Sequence, residues 1–514
     1  MNLGVLLANS AKTHPDKVAF VYGDAYETYM QLNKRVNALG NSLRSLGLRK
    51  QARVAIIQNN CPQLIESLFA CFKAGYTAVP INSRLHPNEF SYILDQSESS
   101  AAIFGEEFKE IIHEIKRNAL SVEHLICLSN PEEGMLDYEK LIASNRENEI
   151  STDAGLDDLA WLFYTSGTTG KPKGAMLTHR NLMVMTTTFF ADLYPAAEHD
   201  VALHAAPLTH GSGLYTIPLL SKGVTNIILK SKSFDPTLLL ATVEQRKVTL
   251  LPFLAPTMIK LLLKSPYLPQ CDLQTLKCIV YGGSPMYVED LKEAVEHLGQ
   301  ILVQIYGQGE APMTISYLGK ERHVLNGTEQ EIRRLSSAGV ARTDVEVKVV
   351  DPHDKELAPG EVGEIVVRGD IVMTGYWHNA EATKETLRNR WLHTGDIGCM
   401  DEAGFIYILD RQTEMIISGG ANIYPRDIEE VMVKHPAIEE VAVFGVPDDI
   451  WGEAVKALVV LKQGAETNEE QLIEFCKQHL ASYKKPKSLE FVSNIPKNAY
   501  GKIAKRELRD RYWQ

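Results

Sequence analysis

No run of apolar residues in these 514 positions reaches the length needed to cross a bilayer, and the opening MNLGVLLANSAKTHPDK carries neither a basic leader nor a small-residue cleavage site. A cytoplasmic location, with no integral membrane segment, is the expectation. Cysteine is sparse: Cys61, Cys71, Cys127, Cys271, Cys278, Cys399 and Cys476 are scattered, odd in number and form no CxxC pair. That pattern suits reduced thiols better than a disulfide framework or a zinc site. Positive charge is also in deficit. The 53 Lys+Arg against 65 Asp+Glu leave a net charge of -12, which argues against general affinity for nucleic acid or anionic membranes, since both reward a basic surface. Any phosphate the chain binds must be captured by local groups. Internal repeats and low-complexity tracts are missing too.

What is present reads as an ordinary globular composition, 45% hydrophobic and 23% charged, in a chain too long for one core. Leu32, Val36, Leu39, Leu43 and Leu46 recur at three- and four-residue steps, which predicts an amphipathic helix. Then come RVAIIQ, a helical QLIESLFACFKAG, YTAVPI, and later AAIF and HLICL. Short β-branched runs alternating with helical stretches predict an α/β fold of stacked βα units with mostly parallel strands. Near the C-terminus GFIYILDR alternates as a strand, and a compact α+β pattern follows. There Thr467 and Glu470 predict a capping box for a helix carrying Leu472, Ile473, Cys476 and Leu480. The expected division is a large N-terminal domain, residues 1–410, and a small C-terminal α+β lid, residues 411–514.

The densest chemistry lies in YTSGTTGKPKG, residues 164–174, which opens directly from the apolar run Trp161 to Tyr164. Gly167, Gly170 and Gly174 allow a tight turn and close backbone approach to an anion. Thr165, Ser166, Thr168 and Thr169 add donors, while Lys171 and Lys173 add charge. Polyphosphate uses all three resources. A P-loop it is not, because Thr165 stands where GxxxxGK[ST] needs its first glycine and Pro172 follows the lysine. A flexible linker could share this composition; the position straight after a buried-looking strand favours a ligand loop.

Further blocks follow in order: KAGYTAVPINSRLHPNE from Lys73, PLTHGSG from Pro207, YGGSPM from Tyr281, QIYGQGEAP from Gln304, LHTGD ending at Asp396, LDRQTEMIISGGANIYP from Leu409, and PKNAYGK ending at Lys502. Together with the glycine-rich loop they closely resemble the adenylate-forming superfamily, which includes acyl- and aryl-CoA synthetases. The resemblance implies attack of a carboxylate on the α-phosphate of ATP, release of pyrophosphate, and transfer of the acyl group from acyl-AMP to coenzyme A. It implies that Thr165, Ser166, Gly167, Thr168, Thr169, Gly170 and Lys171 hold the β- and γ-phosphates. Gly282, Gly283 and Ser284 of YGGSP, with Tyr306, Gly307, Gln308 and Gly309 of YGQG, would line the nucleotide, Gly282, Gly283 and Tyr306 flanking the adenine. Asp396 would take the ribose hydroxyls with help from Arg411, and Glu310 would bind Mg2+, a hard cation suited to carboxylate and phosphate oxygens. His210 would stand at the mouth of the acyl pocket, Lys502 would bridge carboxylate and α-phosphate, and Ser418, Gly419 and Gly420 would face the pantetheine arm.

Three positions depart from the family pattern. Gly309 replaces a threonine, Thr413 falls where an aspartate or lysine hinge is usual, and Tyr500 replaces a serine. The substrate stretch PLTHGSGLYTIP has no acidic residue to pair with an ammonium, and leaving that charge unpaired would be costly. It also has no basic residue for a second carboxylate. A fatty or aryl monocarboxylate remains, with a medium or longer fatty acid the preferred expectation and a hydroxycinnamate- or benzoate-like acid still open. The expected partners are that acid, ATP and CoA, without nucleic acid; a homodimer is left open. A stand-alone ligase loading a carrier protein, or a catalytically impaired nucleotide-binding regulator, are the alternatives.

Overall fold

The computed structural model describes residues 1–116, 121–145, 147–150, 152–165, 171–231, 233–498 and 502–513. Ser166, Gly167, Thr168, Thr169 and Gly170 of the expected phosphate loop, and Tyr500, lie outside the described residues.

The βα alternation folds into two large sheets. One has seven strands, in the order Leu136–Asp137, His124–Cys127, Ser99–Phe104, Arg53–Ile57, Thr77–Ile81, Leu159–Thr165 and Lys173–Thr178. Every pairing in it is parallel except the last, where Lys173–Thr178 returns antiparallel beside Leu159–Thr165. Alternation along Arg53–Ile57 shows how the layers are built. Val54 and Ile56 enter a core shared with the helices Tyr29–Ser45 and Pro62–Ala74, while Ala55 and Ile57 enter another beneath the helices Pro87–Gln96 and Lys109–Lys116. With both faces buried, a parallel strand reads as a nearly continuous apolar run. The helix read from Leu32 to Leu46 is Tyr29–Ser45, with Leu32, Val36, Leu39 and Leu43 fully buried.

The second sheet has nine strands and is parallel at its centre, with antiparallel strands at both edges. The Val18–Tyr22 strand joins it beside Thr225–Ile228. A five-stranded antiparallel sheet follows and closes with Ile406–Arg411, whose Arg411 is in register with Asp396. The next strand, Ile416–Ser418, belongs to a separate sheet with its own core around Ile416, Ile428, Val441 and Leu472. The helix start expected at Thr467 falls one residue later. Asn468 is the N-cap, its side chain accepting from Gln471 N at 2.9 Å while the Gln471 side chain accepts from Asn468 N at 3.1 Å. An Asn caps at least as well as a Thr, and this start brings Leu472 and Cys476 to the core. Among the described residues no helix is long and apolar enough to cross a membrane.

The strand that feeds the loop is anchored by Trp161, which is fully buried with ring centroids of Phe163 and Phe72 at 6.3 and 6.5 Å. Its indole Nε1 has no hydrogen-bond partner. Trp161→Ala is therefore expected to cost roughly 3–5 kcal/mol, and Trp161→Phe clearly less, because it loses volume but no hydrogen bond. Urea unfolding followed by far-UV circular dichroism checks both values.

Candidate active site

A cleft of about 920 Å3 opens at the end of Leu159–Thr165 and runs between the large sheets and the C-terminal unit. Thr165, His210, Gly283, Glu310, Arg411 and Lys502 all contribute to its wall. Sequence positions more than 300 apart thus converge here. The C-terminal unit is held over the cleft by Tyr287, whose hydroxyl donates to Glu429 Oε2 at 3.2 Å, and by the Val288 N–H, which reaches Glu430 Oε2 at 3.4 Å. The Lys502 backbone is braced by exchange with Asn498: Lys502 N donates to Asn498 Oδ1 at 3.1 Å and Asn498 N to Lys502 O at 2.8 Å.

Charge is sorted along the cleft. Burial among protein atoms and the nearby Arg411 guanidinium push the Lys502 pKa down to about 8, although Asp396, Glu414 and Glu310 oppose the shift. The side chain still has an exposed surface on the cleft, so water there moderates the desolvation. His210 is pushed down to about 3 by burial and by Lys502, which leaves it neutral near pH 7. Its ring lies 4.8 Å from that of Phe163. Glu310 Oε1 accepts from the Tyr376 hydroxyl at 2.6 Å and the Thr165 hydroxyl at 3.3 Å. Its carboxylate at the cleft wall fits a magnesium ion that would take its other ligands from phosphate and water.

Asp396 is held differently from a simple ribose acceptor. Arg411 Nε is 2.8 Å from its Oδ1, while Tyr306 Oη and Gln308 Nε2 donate to Oδ2 at 2.5 and 2.7 Å. Three of a carboxylate's roughly four lone-pair positions are thus occupied, and the side chain is only 5% exposed. Tyr306, read as an adenine neighbour, spends its hydroxyl on this carboxylate.

Other predicted residues divide in two. Gly307, Gln308 and Gly309 join the cleft wall with Gly283, whereas Gly282, the buried last residue of the strand Cys278–Gly282, and Ser284, in the bend after it, do not. Lys171 is not brought to the cleft: its ammonium sits 5.6 Å from the Tyr92 ring centroid, and Lys173, 5.3 Å from the Tyr376 ring, lines the cleft instead. Lys173 opens the return strand directly opposite Thr165 and so shares its face, whereas Lys171 precedes that strand. Sequence reasoning also missed Tyr376, which lies outside every recognised block. Ser418, Gly419 and Gly420 lie away from the cleft, in the hairpin between Ile416–Ser418 and Ala421–Ile423. Gly419 and Gly420 have φ of 57° and 81°, as a two-residue type I′ turn requires.

Gly309 leaves no room for a side chain as its neighbours stand. A Cβ there would lie 2.2 Å from Thr165 Cγ2 and 2.8 Å from Phe163 Cδ1. Thr165 fills the space a larger residue 309 would need, and its hydroxyl serves Glu310. Thr413 offers its carbonyl to Arg509 Nη1 at 3.0 Å. Just beyond, Lys505 Nζ stands 3.0, 3.8 and 3.9 Å from carboxylate oxygens of Glu429, Glu414 and Asp410.

Comparison with known proteins agrees with this geometry. Residues 7–377 match the AMP-binding enzyme family and residues 427–502 the AMP-binding enzyme C-terminal domain. A feruloyl-CoA synthase from Amycolatopsis is 38% identical over 512 residues, 99% of each chain. A long-chain-fatty-acid–CoA ligase from Salmonella typhimurium is 34% identical, over 98% of this chain and 93% of that one. Among solved structures, an anthranilate CoA ligase in complex with anthranoyl-AMP superposes with a TM-score of 0.90 at 26% identity, covering 100% and 97% of the two chains. The amide bond synthetase McbA from Marinactinospora thermotolerans gives 0.90 at 28%, covering both chains completely. This chain therefore belongs to the AMP-binding enzyme family, the adenylate-forming superfamily.

Proposed function

We propose that this acid–thiol ligase activates a compact aromatic monocarboxylic acid with ATP and transfers the resulting acyl group to coenzyme A, using a body of residues 1–410 and a lid of residues 411–514. The observation that carries the reading is Lys502, set by the lid into a cleft that also holds Arg411, Glu310 and His210. In the first half-reaction a carboxylate oxygen forms a bond to the α-phosphorus as the bond to the bridging oxygen of pyrophosphate breaks. Two anions must meet for this. A lysine ammonium about 4 Å from both offsets their repulsion by about 4 kcal/mol each at an effective dielectric near 20, before desolvation. Neutral His210 orients the acid without adding charge. Glu310, steadied by Tyr376 and Thr165, would hold Mg2+, which when bound neutralises phosphate charge.

We read the acid class from the apolar end of the cleft, where Met313 and Phe253 lie against Gly211 and Phe163 and Leu214 also line the wall. Flat rings and a closely packed back wall, with Arg342 and Thr188 buried behind Met313, favour an aromatic acid over the long fatty acid preferred from sequence. The feruloyl- and anthranilate-activating relatives support the same choice. In the second half-reaction the thiol sulfur attacks the acyl carbon and AMP leaves. The Ser418–Gly420 hairpin is the surface we assign to the pantetheine arm after the lid rotates, a gating step of the kind that often limits turnover.

Lys502→Ala is expected to abolish adenylate formation nearly completely while supplied acyl-AMP and CoA still give thioester at close to the normal rate. Single-turnover assays of each half-reaction check this, and equal loss of both would refute the lid account. Because the ammonium form is the active one, kcat/KM for adenylate formation should fall as pH rises through about 8, the free-enzyme value such profiles report. Lys502→Arg should carry the plateau to higher pH. Asp396→Asn, which spares volume but removes the charge, should weaken ATP by roughly 1.5–3 kcal/mol per charged hydrogen bond lost. It should also erase discrimination against 2′,3′-dideoxy-ATP. Retained discrimination in a competition assay would remove Asp396 from the ribose site.

A further inference from the structure

Met313 has φ of 62°, a backbone conformation that a bulky side chain rarely adopts. Its side chain forms part of the apolar end of the cleft. A Cβ at Gly211 would come within 2.8 Å of Met313 Cε and 3.3 Å of Phe253 Cδ1, so the thioether lies directly across Gly211 with Phe253 beside it. On the opposing strand, a Cβ at Gly307 would meet Met313 N at 2.5 Å. A residue strained in this way persists only where its surroundings over-determine it.

Arg342 supplies the determination. Its Nη1 donates to Met313 O at 2.8 Å, its Nε to Asp192 Oδ2 at 2.9 Å and its Nη2 to Thr188 Oγ1 at 3.0 Å, with the whole side chain buried. Asp192 is fixed in turn by the Thr343 N–H at 3.1 Å and hydroxyl at 2.6 Å. It sits in a π-helical turn, Phe189–Leu193, an irregularity often found where a helix serves a site. A buried ion pair is often no more stabilising than apolar side chains of the same volume, so stability alone is a weak account of this one. Arg342 is also absent from the cleft wall, where the reacting groups would lie.

We propose that Arg342, held by Asp192 and Thr188, is a positioning residue for acid selectivity: it keeps Met313 in its left-handed conformation, so that the thioether closes the apolar end of the cleft and limits the length of acid the enzyme activates. This rests on the reading that this end of the cleft receives the acid. The clamp acts on the depth of the pocket and leaves the nucleotide side alone.

The test measures kcat/KM for adenylate formation with cinnamate, octanoate and dodecanoate. It compares the wild type, Met313→Gly, the paired Arg342→Met with Asp192→Asn, and all three changes together. The paired replacement removes the clamp without stranding a buried charge. Glycine accepts positive φ unaided and so needs no clamp. Both Met313→Gly and the paired variant should raise the dodecanoate-to-octanoate ratio by roughly tenfold, the scale of discrimination in an apolar pocket. The combined variant should rise no further than Met313→Gly, and the KM for ATP should stay at the wild-type value throughout. A purely structural Arg342 would depress all rates without moving the ratio. An unmoved ratio in either variant overturns the proposal, as does an additive rise in the combined one. Should the paired variant fail to fold, Gly211→Ala decides: its Cβ presses on the thioether, and the ratio must fall below wild type. A wild type inactive on cinnamate refutes the aromatic reading, while the ratio of the two straight-chain acids still judges the clamp.

Discussion

One carboxylate joins the parts of this enzyme that must work together. Asp396 collects Tyr306 and Gln308 from the nine-stranded sheet and Arg411 from the last strand before the lid. Arg411 is in register with Asp396 on the neighbouring strand, and the next strand, Ile416–Ser418, already belongs to another sheet. In the proposed reaction, ribose hydroxyls must compete for the same oxygens. Nucleotide binding then cannot leave Arg411 untouched, and two residues further on the Thr413 carbonyl accepts from Arg509. The charge proposed to hold the nucleotide is also the partner of the last residue of the antiparallel sheet.

The layered fold was legible in the sequence because its signals are local. The alternation in RVAIIQ and the three- and four-residue spacing from Leu32 each name an element without reference to anything distant. The motif blocks likewise located the cleft, since Thr165, His210, Glu310, Arg411 and Lys502 do converge. What escaped is decided across strands. Lys171 and Lys173 are equivalent in a loop composition, yet pairing with Thr165 turns Lys173 toward the cleft and leaves Lys171 over Tyr92. Asp396 gives no hint in LHTGD that two other side chains and Arg411 already occupy it. The left-handed Met313 is invisible for the same reason: its cause, Arg342, lies 29 residues away in sequence.

Gly309 illustrates how a motif can change while its geometry survives. Judged alone, it forfeits a family hydroxyl. In the cleft, the methyl of Thr165 occupies the space beside it and the hydroxyl of Thr165 reaches Glu310. That contact makes the two positions interdependent, although they lie in different blocks. Close packing enforces this, because a gap or overlap of one methyl group is felt by every neighbour.

The strand Val18–Tyr22 is made early but pairs in parallel with Thr225–Ile228. During synthesis at roughly 5–20 residues per second, it must wait on the order of 10–40 s for that neighbour to be made. All seven strands of the other large sheet lie between residues 53 and 178, within that interval. The seven-stranded sheet can close on the ribosome while this strand has only its hairpin partner, Ala25–Thr28, beside it. That edge of the nine-stranded sheet is thus completed late, although the chain that forms it is made first.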